Sequence, residues 1–222
     1  MLSNLDEFTT KIKELPIRVG SIVPDQICFI EEFLKEHTEV KNILETGFHV
    51  GLSSAVMMDV RSDIFITSFD IFWFDYTARA KLLLDIHYPG RNILMAGNSI
   101  TSIPTYFKLN PNYSPDFIFI DGGHEHPIPF LDMYILFKNC KENTYIMIDD
   151  YCEEHGSNGV IEAVNYFTNL NIIKNVSYHR SLNRGWVFGQ RSDIVIPFSE
   201  YAENPDKIME QLKDTESHYP SK

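Results

Sequence analysis

Acidic residues stand at or just after the ends of four of five short apolar runs in this sequence. They are Glu45, Asp70, Asp121, Asp149 and Asp150. If the runs are strands of one parallel sheet, their carboxyl ends share the edge where such sheets bind ligands. A sheet has no structural need of acids there, whereas acids do serve to bind ligand hydroxyls, a cation or a metal ion. The spacing therefore predicts a ligand site at this edge.

A glycine-containing loop follows the first apolar run. Residues 45–53 have the pattern E-x-G-x-x-x-G-x-S. Gly47 allows a tight turn and a close ligand approach, and Gly51 allows the next helix to pack closely. The loop lacks the middle glycine of the dinucleotide fingerprint and the lysine of a Walker loop. Asp70 suits the hydroxyls of a ribose, while an ordinary strand-to-helix turn stays an alternative for the two glycines.

The elements that must position these residues can be read from the hydrophobic pattern. Five runs are short and apolar through their centres, which is typical of strands covered on both faces of a parallel sheet; they are 42–46, 64–69, 92–96, 116–120 and 144–148. Apolar residues at helical spacing lie between them, in stripes that begin near Pro24, Phe130 and Val160. This alternation predicts an α/β fold with a doubly wound sheet.

The C-terminal part of the chain predicts a different arrangement. Residues 172–178 and 186–190 read as two strands that pair antiparallel across a turn-rich segment, and a short helix is expected to start at Asn204-Pro205. We therefore expect three parts, of which the middle one binds the ligand. They are an N-terminal helical segment (1–20), the α/β domain (21–191) and a C-terminal helical extension with a loose tail (192–222).

Five motifs in order resemble those of class I S-adenosylmethionine-dependent methyltransferases, most closely the small-molecule O-methyltransferase branch that includes the macrocin-type sugar methyltransferases. The motifs are the 45–53 loop, T-S-F-D at 67–70, G-N-S at 97–99, F-I-F-I-D-G-G-H at 117–124 and I-M-I-D-D-Y at 146–151. The last two, with a helix between them, are the most specific. The resemblance covers about residues 20 to 190.

The resemblance implies a Rossmann-like methyltransferase sheet, mostly parallel with an antiparallel C-terminal strand and helices on both faces. It implies S-adenosylmethionine as cofactor and transfer of its methyl group to an oxygen of a small molecule or sugar. The residues implied in cofactor binding are Glu45, Gly47, Gly51, Ser53, Asp70, Asn98, Ser99 and Asp121.

A magnesium ion is the second ligand implied by the resemblance, with Asp121, Asp149 and Asp150 as its ligands. Three carboxylates at neighbouring strand ends repel one another unless a cation or protons intervene, and oxygen ligands suit Mg²⁺. The alternative is that Asp149 caps the segment after its strand and that only Asp121 lies near the cofactor.

The general base is the point where the sequence departs from the family pattern. The second acid of the family's D-G-D-H motif is Gly123 here. We expect His124 to take over proton removal, with Asp121 as the other catalytic residue, because histidine titrates near neutral pH. A structural or substrate-orienting role stays open for His124.

Composition excludes several other classes of protein. The chain has 222 residues, of which 19 are Lys or Arg and 31 are Asp or Glu, and its formal net charge is -12. Such a chain is repelled by nucleic acid and anionic membranes. It contains no apolar run of membrane-spanning length and no signal-like start.

The remaining expectations concern cell compartment, assembly and rival functions. The three cysteines, an odd number without a C-x-x-C pair, are expected to be reduced in the cytoplasm. A homodimer is the default assembly. Two functions compete with methyl transfer, namely a non-catalytic nucleoside-binding member of the same fold and a nicotinamide-dependent oxidoreductase.

Overall fold

Seven strands and seven helices make up the regular structure of the residues that the computed structural model describes, which are 3–17, 22–153, 158–181 and 184–199. The helices are α1 (Asn4–Ile12), α2 (Pro24–Glu36), α3 (Leu52–Val60), α4 (Thr77–His87), α5 (Ser99–Leu109), α6 (Ile128–Asn139) and α7 (Asn158–Asn169). The strands are β1 (Asn42–Thr46), β2 (Phe65–Asp70), β3 (Asn92–Ala96), β4 (Phe117–Ile120), β5 (Tyr145–Ile148), β6 (Ile173–Ser181) and β7 (Arg184–Arg191).

The strands form one sheet in the order β3-β2-β1-β4-β5-β7-β6. The first five run parallel, and β7 pairs antiparallel with both β5 and β6. The predicted doubly wound, mostly parallel sheet with an antiparallel C-terminal strand is therefore confirmed. The chain winds outward from β1 in both directions, so a crevice opens at the carboxyl ends of β1 and β4.

Alternate residues of the central strands face opposite layers of helices. In β4, Phe117 and Phe119 pack with residues of α1–α4, whereas Ile118 and Ile120 pack with residues of α5–α7. All four are buried, and each such side chain stabilises the fold by about 1.5–3 kcal/mol. This double burial explains why the strand is apolar at every position.

One strand does not match the predicted burial on both faces. In β3 the side chain of Ile93 is 55% exposed, because the strand lies at the edge of the sheet and pairs only with β2. An apolar run does not reveal whether a strand has one neighbour or two. The five strand positions themselves agree with the prediction to within one residue.

The helices predicted from apolar stripes correspond to α2, α6 and α7. The first of them starts at Pro24, and the Gln26 side chain accepts a hydrogen bond from the backbone N–H of Val23 at 2.9 Å. In the described part of the chain, no helix is both long and apolar enough to cross a bilayer. The helix predicted from Asn204 lies outside the described residues.

Candidate active site

The loop between β1 and α3 is held by two glycines with positive φ. Gly47 has φ 86°, and a Cβ atom there would lie 1.8 Å from the carbonyl oxygen of Asp121. Gly51 has φ 72° and precedes α3, where a Cβ atom would lie 2.6 Å from the Phe48 ring. Both glycines are therefore required by the protein's own packing, and only Gly47 lines the cavity described below.

Glu45 does not reach the ligand edge, contrary to the predicted cofactor contact. Its side chain is fully buried beneath the loop, where it accepts hydrogen bonds from three serine hydroxyls: Ser53, Ser54 (2.6 Å) and Ser68 (2.7 Å). Burial raises the pKa of Glu45. Ser53 donates a hydrogen bond to Glu45, so these two residues stabilise the loop from its buried side. Ser53 also lines the cavity.

Asp70 lies at the end of β2, as predicted, and lines the cavity. Its two carboxylate oxygens accept backbone N–H groups from His49 at 2.8 Å and Phe72 at 2.6 Å. Both donors have positive φ values, 51° and 59°. Asp70 therefore stabilises the positive-φ backbone conformations of His49 and Phe72, which side-chain sterics disfavour.

The N-terminus of α5 forms the next part of the wall. Asn98 caps the helix by accepting the backbone N–H of Ile100 at 3.0 Å, and Ser99 is its first residue. Both line the cavity. Their side chains bring hydroxyl and amide groups to the rim of the crevice, where a ligand with hydrogen-bonding groups can meet them.

Asp132, which the sequence pattern did not single out, lies below this rim on α6. It lines the cavity yet is 1% exposed, and its Oδ1 has no hydrogen-bond partner among the described residues. Burial raises its pKa to about 7, against a hydrogen bond from Ser99 that lowers it. Nothing in the sequence marks Asp132 as a cavity residue, because it is an acid in the middle of an apolar helix.

The ends of β4 and β5 bring together Asp121, His124 and Asp150. Nε2 of His124 lies 2.7 Å from Oδ2 of Asp150 and 4.0 Å from Oδ1 of Asp121. The Asp150 carboxylate, 2.7 Å from Nε2, raises the pKa of His124, whose side chain is 40% exposed. Burial and the neighbouring carboxylates raise the pKa of Asp121. This contact resembles a base held by an acid, a pairing that fixes the imidazole orientation.

Asp149 is not one of the three residues whose ligand atoms converge. Its Oδ1 accepts the side-chain amide of Gln26 at 2.5 Å and the backbone N–H of Asp150 at 2.7 Å. It is 2% exposed, does not line the cavity, and burial raises its pKa to about 6. Asp149 therefore directs one oxygen into its own segment, as the capping alternative expects, while a shared ion between Asp121, Asp149 and Asp150 stays a prediction.

Arg184, the first residue of β7, is the second residue that the sequence pattern did not single out. Its Nη1 contacts Oδ1 of Asp150 and lies 3.8 Å from Oδ2 of Asp149. Burial raises the pKa of Asp150, but the hydrogen bond and charge of His124 together with Arg184 outweigh it and hold that pKa below its usual value. Asp150 is thus a carboxylate between the guanidinium of Arg184 and the imidazole of His124.

One cavity of about 560 Å³ connects these groups at the carboxyl edge of the sheet. Residues that line it include Gly47, Asp70, Asn98, Asp121, His124 and Arg184. Its volume lies within the range of small-molecule and cofactor sites, about 300–1,000 Å³. The site thus offers hydrogen-bonding groups at one end and an acid–histidine pair at the other.

Comparison with known proteins gives matches at the level of structure only. No family model matches the chain, and neither does any curated protein sequence. An O-methyltransferase from Bacillus cereus, solved in complex with S-adenosylhomocysteine, has a TM-score of 0.73 at 16% identity and covers 86% of this chain and 92% of its own. TomG from Streptomyces achromogenes, an O-methyltransferase of tomaymycin synthesis solved with S-adenosylmethionine, has a TM-score of 0.69 at 14% identity, with coverages of 86% and 91%.

A third similar structure is CalS11, the TDP-rhamnose 3'-O-methyltransferase of calicheamicin biosynthesis, with a TM-score of 0.62 at 14% identity and coverages of 86% and 93%. At such identities the likeness concerns the fold rather than the chemistry. The chain therefore has the fold of O-methyltransferases, several of which were solved with S-adenosylmethionine or its demethylated product.

Proposed function

We propose that the protein transfers the methyl group of S-adenosylmethionine to a hydroxyl oxygen of a small molecule, with a sugar among the candidate acceptors. The observation that carries the proposal is a single cavity that joins Asp70, at the end of β2, to the His124–Asp150 pair beyond β4 and β5. The first is suited to ribose hydroxyls and the second to removal of a proton. The likeness to solved O-methyltransferases supports this assignment.

Cofactor binding is assigned to the groups that face the cavity. Asp70 accepts the ribose hydroxyls, while Gly47, Asn98, Ser99 and Asp121 line the rest of the binding surface. The remaining predicted cofactor residues act through the loop. Glu45 and Gly51 set its conformation, and Ser53 bonds to Glu45.

Proton removal is assigned to His124. S-adenosylmethionine, when bound, supplies an electrophilic methyl group that is displaced in line by the acceptor oxygen. Asp150 holds Nε2 of the imidazole at 2.7 Å, so the opposite ring nitrogen, Nδ1, is left to accept the acceptor's hydroxyl proton. Because the pKa of His124 is raised, the neutral form that can act as a base becomes dominant at a higher pH than in an ordinary histidine. Asp121, 4.0 Å from Nε2, is assigned the other catalytic position beside this pair.

Magnesium, which the resemblance implies, fits the described side chains poorly. The side chains that do converge are Asp121, His124 and Asp150, whose ligand atoms lie within 4.8 Å of one another. Mg²⁺ prefers oxygen ligands in octahedral geometry, and this set replaces an oxygen with an imidazole nitrogen. No step of the proposed transfer is therefore routed through a metal ion.

The thiols and the cavity size bear on where the reaction takes place and on what accepts the methyl group. The three cysteines, Cys28, Cys140 and Cys152, are all free in the structure. Free thiols support a reducing compartment such as the cytoplasm. A small-molecule acceptor agrees with the size of the cavity, which has room for a cofactor and a compact partner.

Calorimetric titration with S-adenosylmethionine and S-adenosylhomocysteine tests the assignment directly. Asp70→Asn is expected to weaken both affinities by about 1.5–3 kcal/mol, which is roughly 10- to 150-fold, because one charged acceptor is lost. Asp75→Asn, an exposed change a few residues along the chain, is the matched control and leaves affinity unchanged.

Methyl transfer is then followed with labelled cofactor across a panel of hydroxylated acceptors. Binding without transfer to any acceptor favours the non-catalytic nucleoside-binding alternative. Affinity for a nicotinamide nucleotide instead of the sulfonium cofactor favours the oxidoreductase. Equal cofactor affinity of Asp70→Asn and the parent protein removes Asp70 from the site.

A further inference from the structure

We infer that Arg184 is a built-in cation that takes the place of a divalent metal at the carboxyl ends of β4 and β5, so that this edge works without a bound metal ion. The consequence for catalysis rests on the proposed function. The electrostatic role of Arg184 rests on the described contacts alone.

The first support is where nitrogen atoms lie among the three acids of the predicted metal set. Nη1 of Arg184 lies between the carboxylates of Asp149 and Asp150, and Nε2 of His124 lies between those of Asp150 and Asp121. Each neighbouring pair of acids therefore already has a positively charged or proton-donating group between its members. A metal ion at either place would have to displace that group.

The second support is the orientation of the acids. A magnesium ion needs its oxygen ligands to meet at one point, each about 2.0–2.1 Å from the ion. Asp149 instead directs Oδ1 to Gln26 and to the backbone N–H of Asp150. Its Oδ2 has no hydrogen-bond partner in the part of the chain that the structure describes, and the Arg184 guanidinium lies 3.8 Å away as counter-charge.

The third support is the way the backbone fixes Arg184 in place. The residue after it, Gly185, accepts the backbone N–H of Tyr151 at 2.8 Å, and a Cβ atom on Gly185 would lie 2.2 Å from the Tyr151 carbonyl oxygen. Only glycine permits this approach. The start of β7 therefore packs closely against Tyr151, the residue that follows Asp150. This strand contact positions the Arg184 guanidinium at the Asp150 carboxylate.

The negative charge of the three acids explains why Arg184 matters for catalysis. Asp121, Asp149 and Asp150 together carry up to three negative charges within a partly dehydrated edge, and burial and mutual repulsion raise the pKa of two of them. Arg184 offsets one charge permanently, since a guanidinium stays protonated. Asp150 is then free to hold His124, which makes Arg184 a positioning residue for the proposed base.

Thermal unfolding with and without added Mg²⁺ tests the inference without any assay of activity. The melting temperature of the parent protein is expected to be the same in MgCl₂, in NaCl of equal ionic strength and in chelator. In Arg184→Met the acids lose their cation and the side chains of Asp149 and Asp150 are free to turn toward a common point. Mg²⁺ should then bind and raise the melting temperature of this variant by about 3–6 °C at ten times the dissociation constant. Arg79→Met, on the exposed side of α4, is the matched control and stays insensitive.

Arg184→Lys supplies a second reading if the methionine variant does not fold. It keeps the charge and is expected to stay insensitive to Mg²⁺. A magnesium-dependent rise in the parent protein, or chelator-sensitive methyl transfer, overturns the inference, and so does a folded Arg184→Met variant that ignores Mg²⁺. Failure of the parent to bind S-adenosylmethionine overturns the proposed function instead and leaves the melting result to be judged separately.

Discussion

The two sides of the cavity hold their carboxylates in different ways. On the β1–β2 side, Glu45 is satisfied by serine hydroxyls and Asp70 by backbone N–H groups, all of them neutral donors. On the β4–β5–β7 side, Asp150 is held between His124 and Arg184, which are cationic or can become so. Both sides concentrate negative charge at strand ends, and they differ in what balances it.

This difference indicates that the β1–β2 side is a scaffold that fixes the loops, whereas the β4–β5–β7 side controls charge. Neutral donors fix the shape of a loop and leave the acid's charge available to a ligand, which suits a side that recognises hydroxyls. Cationic partners cancel charge and tune protonation, which suits a side that moves a proton. The functional division inside the cavity therefore follows from the type of hydrogen-bond donor rather than from the acids themselves.

Gly47 is where the two sides touch, so its substitution is expected to have the largest effect. In Gly47→Ala the new Cβ would lie 1.8 Å from the Asp121 carbonyl oxygen at a backbone φ of 86°. We expect a loss of more than about 4 kcal/mol in the free energy of unfolding, or failure to fold. Urea denaturation followed by circular dichroism measures it.

Gly90→Ala is the control for this change. Gly90 has a similar φ of 71° but no atom within 4 Å of the added Cβ, so only backbone strain of about 1 kcal/mol is expected. If the two alanine variants are equally stable, the close contact between the two sides has no energetic weight, and Gly47 is a turn residue only.

The sequence predicted acids on both sides but not Arg184, and the reason is topological. Residues that come after parallel strands all reach the same edge, so Asp70, Asn98 and Asp121 could be found by reading each strand to its end. An antiparallel strand brings its first residue to that edge instead. Arg184 opens such a strand, so a search confined to the residues after each strand overlooks it.

Burial was the other property that the sequence could not supply. Glu45 and Asp70 both stand at the ends of apolar runs, yet one points beneath the loop and the other into the cavity. Within a strand successive side chains point to opposite faces, but whether a terminal side chain meets the ligand depends on the fold of the loop above it. Asp132 shows the same limit, because its place under the cavity depends on how α6 packs.

Asp132 sharpens the comparison, since it is a buried acid of the cavity wall that has no cation beside it among the described residues. Burial raises its pKa to about 7 from 3.8. Below about pH 4 the acid is protonated in both the folded and unfolded states, so stability is lost as pH rises from about 4 to 7 and is constant above that. At 1.36 kcal/mol per pKa unit the loss amounts to about 4 kcal/mol as an upper figure.

Asp132→Asn removes this loss, because the amide cannot ionise. Its stability relative to the parent is expected to increase between about pH 4 and 7 and to level off above pH 7. Urea unfolding at a series of pH values measures the difference, and Asp75→Asn, an exposed acid, should show no such trend. A constant difference across this range contradicts a raised pKa at Asp132.

Glu45→Gln is expected to have the smallest effect, and it tests whether neutral donors define the β1–β2 side. The carboxylate accepts hydroxyls from Ser53, Ser54 and Ser68, and the amide keeps one acceptor oxygen while its NH₂ group faces a hydroxyl donor. Leaving a buried hydroxyl without its acceptor costs about 1–2 kcal/mol.

Since the partners of Glu45 carry no charge, the cost of Glu45→Gln should be equal at about 0.05 M and about 0.5 M NaCl. The cost of Arg184→Met should instead fall as salt rises, because mobile cations that enter the cavity then screen Asp121 and Asp150, which line it. Glu32→Gln, an exposed change on α2, serves as the control. A salt-dependent cost at Glu45 would place both sides of the cavity in one electrostatic class and remove the distinction between scaffold and proton-moving edge.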